Sequence, residues 1–384
     1  MLIRFGFAAV GGLVVIGMVG SVARGQSSLT PVGDLAGGFF FSAVNGVSND
    51  GSVAVGSSSS ADGFEAFRFT EGGGIEGLGD LPGGDAFSAA TGVSGDGSII
   101  VGYGSSALGS EAFRYSAGVM VGLGDLDGGA FQSYASNISG DGTTIVGYGT
   151  SEAGTQAIRH TAGGGMQALG ELAGGGFFSS AEDVSYDGSV IVGYSETASG
   201  LEAFRWTEGD GMAGLGGLDA GDVMSEAVGV SGDGLTIVGL SKSASGDEAF
   251  RWTESEGMVG LGDLAGGDFF SVAFDANNDG SIIVGRSDTE MGNIATYWTA
   301  DDGMQSLWDV LVANGIDPAA DGWSLLVEAS GISMDGNTIY GYGLRNGETE
   351  GFIAVIPTAA VPEPAGAALL AMAGVAALGR CRRA

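Results

Sequence analysis

The sequence predicts an all-β chain: a seven-bladed β-propeller of four-stranded antiparallel blades, with the last blade closed by the N-terminal strand. Three observations predict it. An Asp-Gly pair recurs at Asp50, Asp96, Asp141, Asp187, Asp233 and Asp279, in steps of 46, 45, 46, 46 and 46 residues, and a seventh follows at Asp335 after 56. Between pairs, composition marks out four strands. The two ends of the repeat region are complementary fractions of one repeat. A period of this size marks a propeller, solenoid or array. A β-solenoid is the alternative, but it needs polar caps and has no reason to begin and end on matching halves.

Taken in order, Met1–Gln26 reads as a signal peptide, with Arg4 before the apolar run Phe5–Val19 and small residues at Ser21, Ala23 and Gly25. The repeat body spans residues 27–357. It opens at Thr30–Leu35 with a fourth strand that has no first three before it. Strand one is Ser-x-Ala-x-Gly-Val-Ser, as in Ser88–Ser94. After the Asp-Gly turn comes a β-branched second strand such as Ser98–Tyr103; Asp-Gly between apolar runs signals a hairpin because Gly takes φ > 0 freely. Strand three is Glu-Ala-Phe-Arg-Trp-Thr (Glu202–Thr207), alternating at period two. Strand four carries Gly-Met-x-Gly-Leu-Gly-Asp-Leu, as in Gly257–Leu264. The Leu-Gly-Asp-Leu element keeps the same beat at Asp34, Asp80, Asp125, Glu171, Gly217, Asp263 and Asp309. The last unit, 327–356, holds strands one to three and stops, so pairing it with the opening strand completes one blade. No stretch of the repeats shows helical periodicity. The long step places about ten extra residues between Trp308 and Leu326.

Charge and cysteine narrow the function. With 13 basic and 46 acidic residues the net charge is -33. Such a surface repels phosphate backbones and anionic headgroups, which excludes nucleic-acid binding. The single cysteine, Cys381, leaves the body without disulfides, so packing must hold it together.

The tail runs Val361-Pro362-Glu363-Pro364, then the apolar Ala365–Leu378, then Arg380-Cys381-Arg382-Arg383. The apolar part is short for a spanning helix, which needs about 20 residues. The arginines would keep its C-terminus cytoplasmic. This tripartite end resembles the PEP-CTERM sorting signal of Gram-negative bacteria. The resemblance implies recognition and removal of the tail by an exosortase and delivery to the cell surface or outside, often alongside exopolysaccharide; signal peptidase would cut the leader. Membrane contact is then limited to the tail before processing. The body resembles the HAF-type extracellular repeat family through L-G-D-L, G-V-S-x-D-G-S, I-V-G-Y and E-A-F-R-W-T. That family brings no catalytic residues to carry over.

Candidate sites are read against simpler roles. The turn aspartates suit Ca²⁺ chemistry, but one acid per turn is too few, and an Asp bonding its own turn backbone explains them without a cofactor. The strand-three arginines Arg68, Arg114, Arg159, Arg205 and Arg251 suggest structural ion pairs with the Leu-Gly-Asp-Leu carboxylates Asp80, Asp125 and Asp263; a ring of ligand-binding arginines is the alternative. The aromatics entering strand one, Phe39, Phe87, Phe131, Phe177 and Phe269, either stack on sugar faces at a rim or wedge between blades as core. His160 stands where other repeats carry a packing aromatic, and with no second histidine or body thiol it builds neither a triad nor a zinc site. Acid pairs for glycoside cleavage stay open. The insertion, with Asp317, Asp321, Trp323 and Glu328, is the one large asymmetry. The reading is a secreted or cell-surface structural or binding protein of the polysaccharide matrix, without catalytic or metal residues; a polysaccharide lyase or hydrolase on a propeller is the alternative.

Overall fold

The computed structural model describes residues 26–219 and 224–357. Leader residues 1–25 and the sorting residues Val361, Pro362, Glu363, Pro364, Arg380, Cys381, Arg382 and Arg383 lie outside the described residues. The first repeat is an antiparallel meander of Gly37–Val47, Val53–Ser60, Phe64–Thr70 and Gly74–Gly77. The same four-stranded arrangement recurs over 83–122, 128–168, 174–214, 225–260 and 271–306.

Its chemistry is local. In the turn of the third repeat, Ser139 Oγ donates to Asp141 Oδ1 at 2.6 Å, the Thr143 N–H donates to the same oxygen, and the Thr144 N–H donates to Ser139 Oγ. Gly142 takes φ +74 there, which a side chain would resist. On strand three the Ala and Phe of Glu-Ala-Phe-Arg turn inward. Phe67, Phe113, Phe204 and Phe250 are fully buried, each worth about 1.5–3 kcal/mol of transfer energy.

Neighbouring repeats are joined by a recurring latch. Ser88 Oγ accepts from the Ala66 N–H and donates to the Gly79 carbonyl of the repeat before it. Ser133, Ser179, Ser225 and Ser271 do the same one repeat further on each time. The Gly351 N–H of the last repeat donates to Ser42 Oγ of the first, so the latch also joins the ends. At the turns a second chain of bonds passes from repeat to repeat, including Asn49 N–H to Gly95 O, Gly95 N–H to Gly140 O and Asn278 N–H to Met334 O. The first strands lie side by side in sequence order, and that of the last repeat lies beside that of the first. Single parallel bridges such as Phe64↔Phe87 and Phe41↔Thr349 link twenty strands into one sheet, while 225–260 and 271–306 stand as separate four-stranded sheets.

The last repeat has Trp323–Ile332, Thr338–Arg345 and Glu348–Val355, and its fourth strand is N-terminal: Ser28–Pro31 pairs antiparallel with Phe352–Val355. The expected strand lay slightly later, at Thr30–Leu35. It ends earlier because Pro31 cannot donate to a ladder, while Val32 is still buried and bonded to Gly351 O.

The insertion departs from the all-β expectation. Leu307–Ala313 is an α-helix and Pro318–Asp321 a 3₁₀ turn. Ser306 caps the helix by accepting from the Asp309 N–H, and Leu307 and Leu311, four apart, are fully buried. Asp309, which keeps the Leu-Gly-Asp-Leu beat, sits in the first helical turn. Seven residues are too few to display a helical period.

Candidate functional site in the axial funnel

The first strands face the axis, and there the repeats stop being alike. At the position two before the turn Ser (Asn277 in the sixth repeat), four repeats carry Gly46, Gly92, Gly229 and Gly331; the others carry Asn137, Asp183 and Asp275. Each of these three lies at a β-bulge, which re-aims side chains. Asp183 is buried and accepts from the Val184 N–H, from Asn137 Nδ2 at 2.6 Å and from the Val230 N–H at 2.8 Å, so it ties its own repeat to both neighbours. Asp275 accepts from the Ala276 N–H and from the Ile332 N–H of the next repeat. Burial raises the pKa of Asp183 above the ordinary carboxylate value; burial and then the charge of Asp183 raise that of Asp275. Tyr340 stands where the other repeats have Val55, Val101, Val146, Val192, Val238 and Val284. Its hydroxyl and Asp275 Oδ2 both fill the space that a Cβ on Gly331 would need. Burial and these two carboxylates hold its phenol protonated.

Asn137, Asp183, Asp275 and Tyr340 line two cavities. They therefore form a waist across the axis. The larger cavity, about 180 Å³, also meets Asn45, Tyr134, Ser136, Glu182, Phe274 and Ser330. Ser136 Oγ is buried there without a hydrogen-bond partner.

Beyond this cavity the wall is equally unit-specific. Cross-strand partners Tyr134↔Tyr148, Ser180↔Tyr194, Glu226↔Leu240, Val272↔Arg286 and Glu328↔Tyr342 occupy one register position. Tyr103, Tyr134 and Tyr148 stack, with centroids 4.1 Å and 5.3 Å apart and the second pair nearly parallel. Glu182 accepts from Ser180 Oγ at 2.6 Å; burial raises its pKa, and the charge of Glu226 adds to this. Glu226 is raised by its own burial and by Asp247. Tyr194 is pushed up to about 12 by burial and by these two glutamates. In the sixth repeat Arg286 Nη1 meets Glu328 Oε2 of the last repeat at 2.7 Å, with its guanidinium over Phe270 and Phe274 at 5.8 and 5.5 Å.

Several expected residues land elsewhere. The expected Leu-Gly-Asp-Leu ion pairs are not what the arginines form. Arg159 reaches Gln167 and Glu208, Arg251 pairs with Glu256 at 2.7 Å, and Arg114 donates to Ser116 Oγ. Arg68 Nε is buried without a partner, and Arg205 faces Ala213 across its hairpin. The reason is register: Arg68, Arg114 and Arg251 lie opposite Glu76, Val121 and Val259, four residues before Asp80, Asp125 and Asp263. Asp125 instead collects the N–H groups of Leu126, Gln132 and Thr150. The strand-three glutamates Glu65, Glu111, Glu202 and Glu248 hold the Leu-Gly turns, as Glu65 Oε1 does from the Gly79 N–H at 2.9 Å.

Of the entering aromatics, Phe39 and Phe177 are about 60% exposed and Phe87, Phe131 and Phe269 half-buried, so none is core. Phe87 and Phe178 lie against Tyr103 and Tyr194, which sets part of this belt on the funnel wall. His160 is half-buried opposite Ile145, its pKa lowered by burial and by Arg114. Each turn aspartate is occupied by its own Ser (Asn277 in the sixth) and by backbone. Asp96 is held down to about 2, first by the Ser94 hydroxyl. Among the described residues no group of three or more His, Cys, Asp or Glu side chains is placed to hold a metal, and no helix is long and apolar enough to cross a membrane.

No protein-family model and no curated protein matches the chain. Solved structures do. An oligogalacturonate lyase in complex with manganese superposes with a TM-score of 0.54 at 12% identity, over 87% of this chain and 97% of the other. A prolyl endopeptidase does so at 0.52 and 13%, over 87% of this chain, which spans 51% of the enzyme's length. TolB from Acinetobacter baumannii follows at 0.46 and 11%, over 68% and 61%, too slight a likeness to carry weight. At such identities the likeness is one of fold: a mostly antiparallel, propeller-like β architecture.

Proposed function

We propose that this is an exported seven-bladed propeller that binds extracellular polysaccharide in its axial funnel, with the N-terminal strand completing the seventh blade. Signal peptidase and an exosortase-type enzyme would process its ends, placing it at the surface of, or outside, a Gram-negative-type cell. The observation that carries the binding reading is the Tyr103–Tyr134–Tyr148 stack above a cavity lined by carboxyl, hydroxyl and amide groups. Sugars are recognised by such flat faces beside a few convergent polar groups. An identical rim in every repeat would suit a purely structural role; this wall differs at each position.

The test is retention on the producing organism's own exopolysaccharide. The intact chain should be retained and Tyr134→Ala should lose at least about fivefold in affinity, since stacking on an aromatic face is worth on the order of 1 kcal/mol or more. Equal retention of the two would overturn the funnel. The enzyme alternative rests on the raised Asp183–Asp275 pair, because a carboxyl kept protonated near neutral pH can act as an acid. Their oxygens are committed to backbone N–H groups and, for Asp183, to the Asn137 amide, which favours binding over turnover. Shortening of the polysaccharide, lost in Asp183→Asn, would reverse that choice.

A further inference from the structure

We propose that a notch on the outer rim, between the second and third repeats, seats the carboxylate of an acidic sugar on Arg114 and His160. None of its lining residues lines either axial cavity, so it does not depend on the funnel binding anything.

The notch encloses about 630 Å³ and is lined by Arg114 and His160 among small or uncharged neighbours, with no carboxylate. In a chain of 46 acids and 13 bases that lining is a local exception. The repeats show how it arises. Where a strand-three arginine is neutralised, the carboxylate comes from one of two places. The outer hairpin of the next repeat brings Glu208 to Arg159 at 3.4 Å, and the arginine's own hairpin brings Glu256 to Arg251 at 2.7 Å. Both are lost around Arg114. Its own hairpin is cut to Ala117 and Gly118 between the paired Ser116 and Val119. The next hairpin carries Ala162 where Glu208 stands one repeat later, followed by Gly163 and Gly164. Among the described residues Arg114 has no ion-pair partner. Its one hydrogen bond, from Nη1 to Ser116 Oγ at 2.6 Å, pins the guanidinium and leaves the rest of its five donors free.

The ring beside it has changed too. Arg159 lies over Trp206 at 4.9 Å, and His160 holds that place beside Arg114. A neutral imidazole keeps a flat face and can turn an N–H toward an anion. The Thr161 hydroxyl accepts from the Gly164 N–H and keeps its own proton to donate. A half-buried guanidinium without a counter-charge is costly, and a planar carboxylate matches its fork with two parallel bonds. Charges beyond about 8 Å are screened at physiological salt, so the acid-free lining decides locally against the net charge of the chain. The volume lies within the roughly 300–1,000 Å³ of sites that enclose a small ligand. It holds a sugar ring against the imidazole face, where a bare carboxylate would leave most of it unfilled.

The full chain would be titrated calorimetrically with glucuronate, glucose and acetate. The expected result is one glucuronate per chain, with glucose and acetate at least about tenfold weaker. Ala162→Glu, at an exposed position, restores the carboxylate that Arg159 meets in Glu208 and should lose at least about that factor. Arg114→Gln should lose as much and His160→Phe less, while Arg251→Gln, already neutralised by Glu256, should lose nothing. Melting curves establish that each variant is folded, and the three-ligand comparison on the unaltered chain needs no variant. Glucose binding as tightly as glucuronate would overturn the carboxylate, and acetate doing so would overturn the sugar. Equal affinity in Ala162→Glu and the unaltered chain would move the ligand away from Arg114 and overturn the proposal, as would no binding of glucuronate.

Discussion

Asp183 and Asp275 are held by neutral donors alone, and their pKa values are raised, by burial first. For an acid whose folded value exceeds its unfolded one, the native state holds the proton more tightly. Stability is then gained as pH falls through the folded value and is absent above it. The melting temperature should therefore rise as pH falls through about 6, where Asp183 takes up its proton, toward the ordinary value of 3.8, and Asp275→Asn should flatten that rise. Parallel profiles for the two proteins would show that the pair does not titrate as described. Asp96 runs oppositely: held at about 2, it contributes stability that is lost only below the ordinary value of 3.8, outside this window. Removing a turn hydroxyl has a separate cost. Ser139→Ala strands the buried Thr144 N–H, for about 1–3 kcal/mol, visible as a lower urea midpoint at unchanged slope. The turn role of the aspartates was legible because Ser-x-Asp-Gly is local. Asn137, Asp183, Asp275 and Tyr340 were present as breaks in the repeat, but they meet only once the strands are arranged around a common axis. Comparing the Gly of Gly-Val-Ser and the Val of Ile-Val-Gly across repeats would have found them.

At the level of elements, strand order and the Asp-Gly hairpins followed from period-two alternation and turn chemistry, and the structure keeps them. The arginine pairing was expected from complementary charge, whereas the hairpin sets Arg251 opposite Val259 rather than Asp263. The helix Leu307–Ala313 was missed because two buried leucines in seven residues carry no period. The N-terminal strand gives the sharpest test. Deleting residues 27–35 removes the buried Leu29 and Val32 and the partner of Phe352–Val355. The exposed edge of Glu348–Val355 should then drive self-association, seen as oligomers by light scattering and a lowered melting point. A truncated body that stays monomeric and melts like the intact one would show that the strand does not complete the last repeat.

Over the whole molecule the net charge of -33 strains the compact state by self-repulsion. Salt and divalent ions should stabilise it gradually, with Mg²⁺ nearly as effective as Ca²⁺, because screening needs no fitted cage. Saturation of melting temperature at a fixed Ca²⁺ stoichiometry, absent with Mg²⁺, would instead reveal a dedicated site. The antiparallel pairing of Ser28 with Val355 has a mechanical consequence. The two ends of the ring leave side by side, so tension between them strains the closing bonds one after another, as in a zip fastener. Tension between the C-terminal side and a polymer gripped on the axis runs sideways through the Ser42 latch and the turn-to-turn bonds, which share it. A load running sideways is carried in the strong direction, whereas tension between the two ends opens the molecule at its seam.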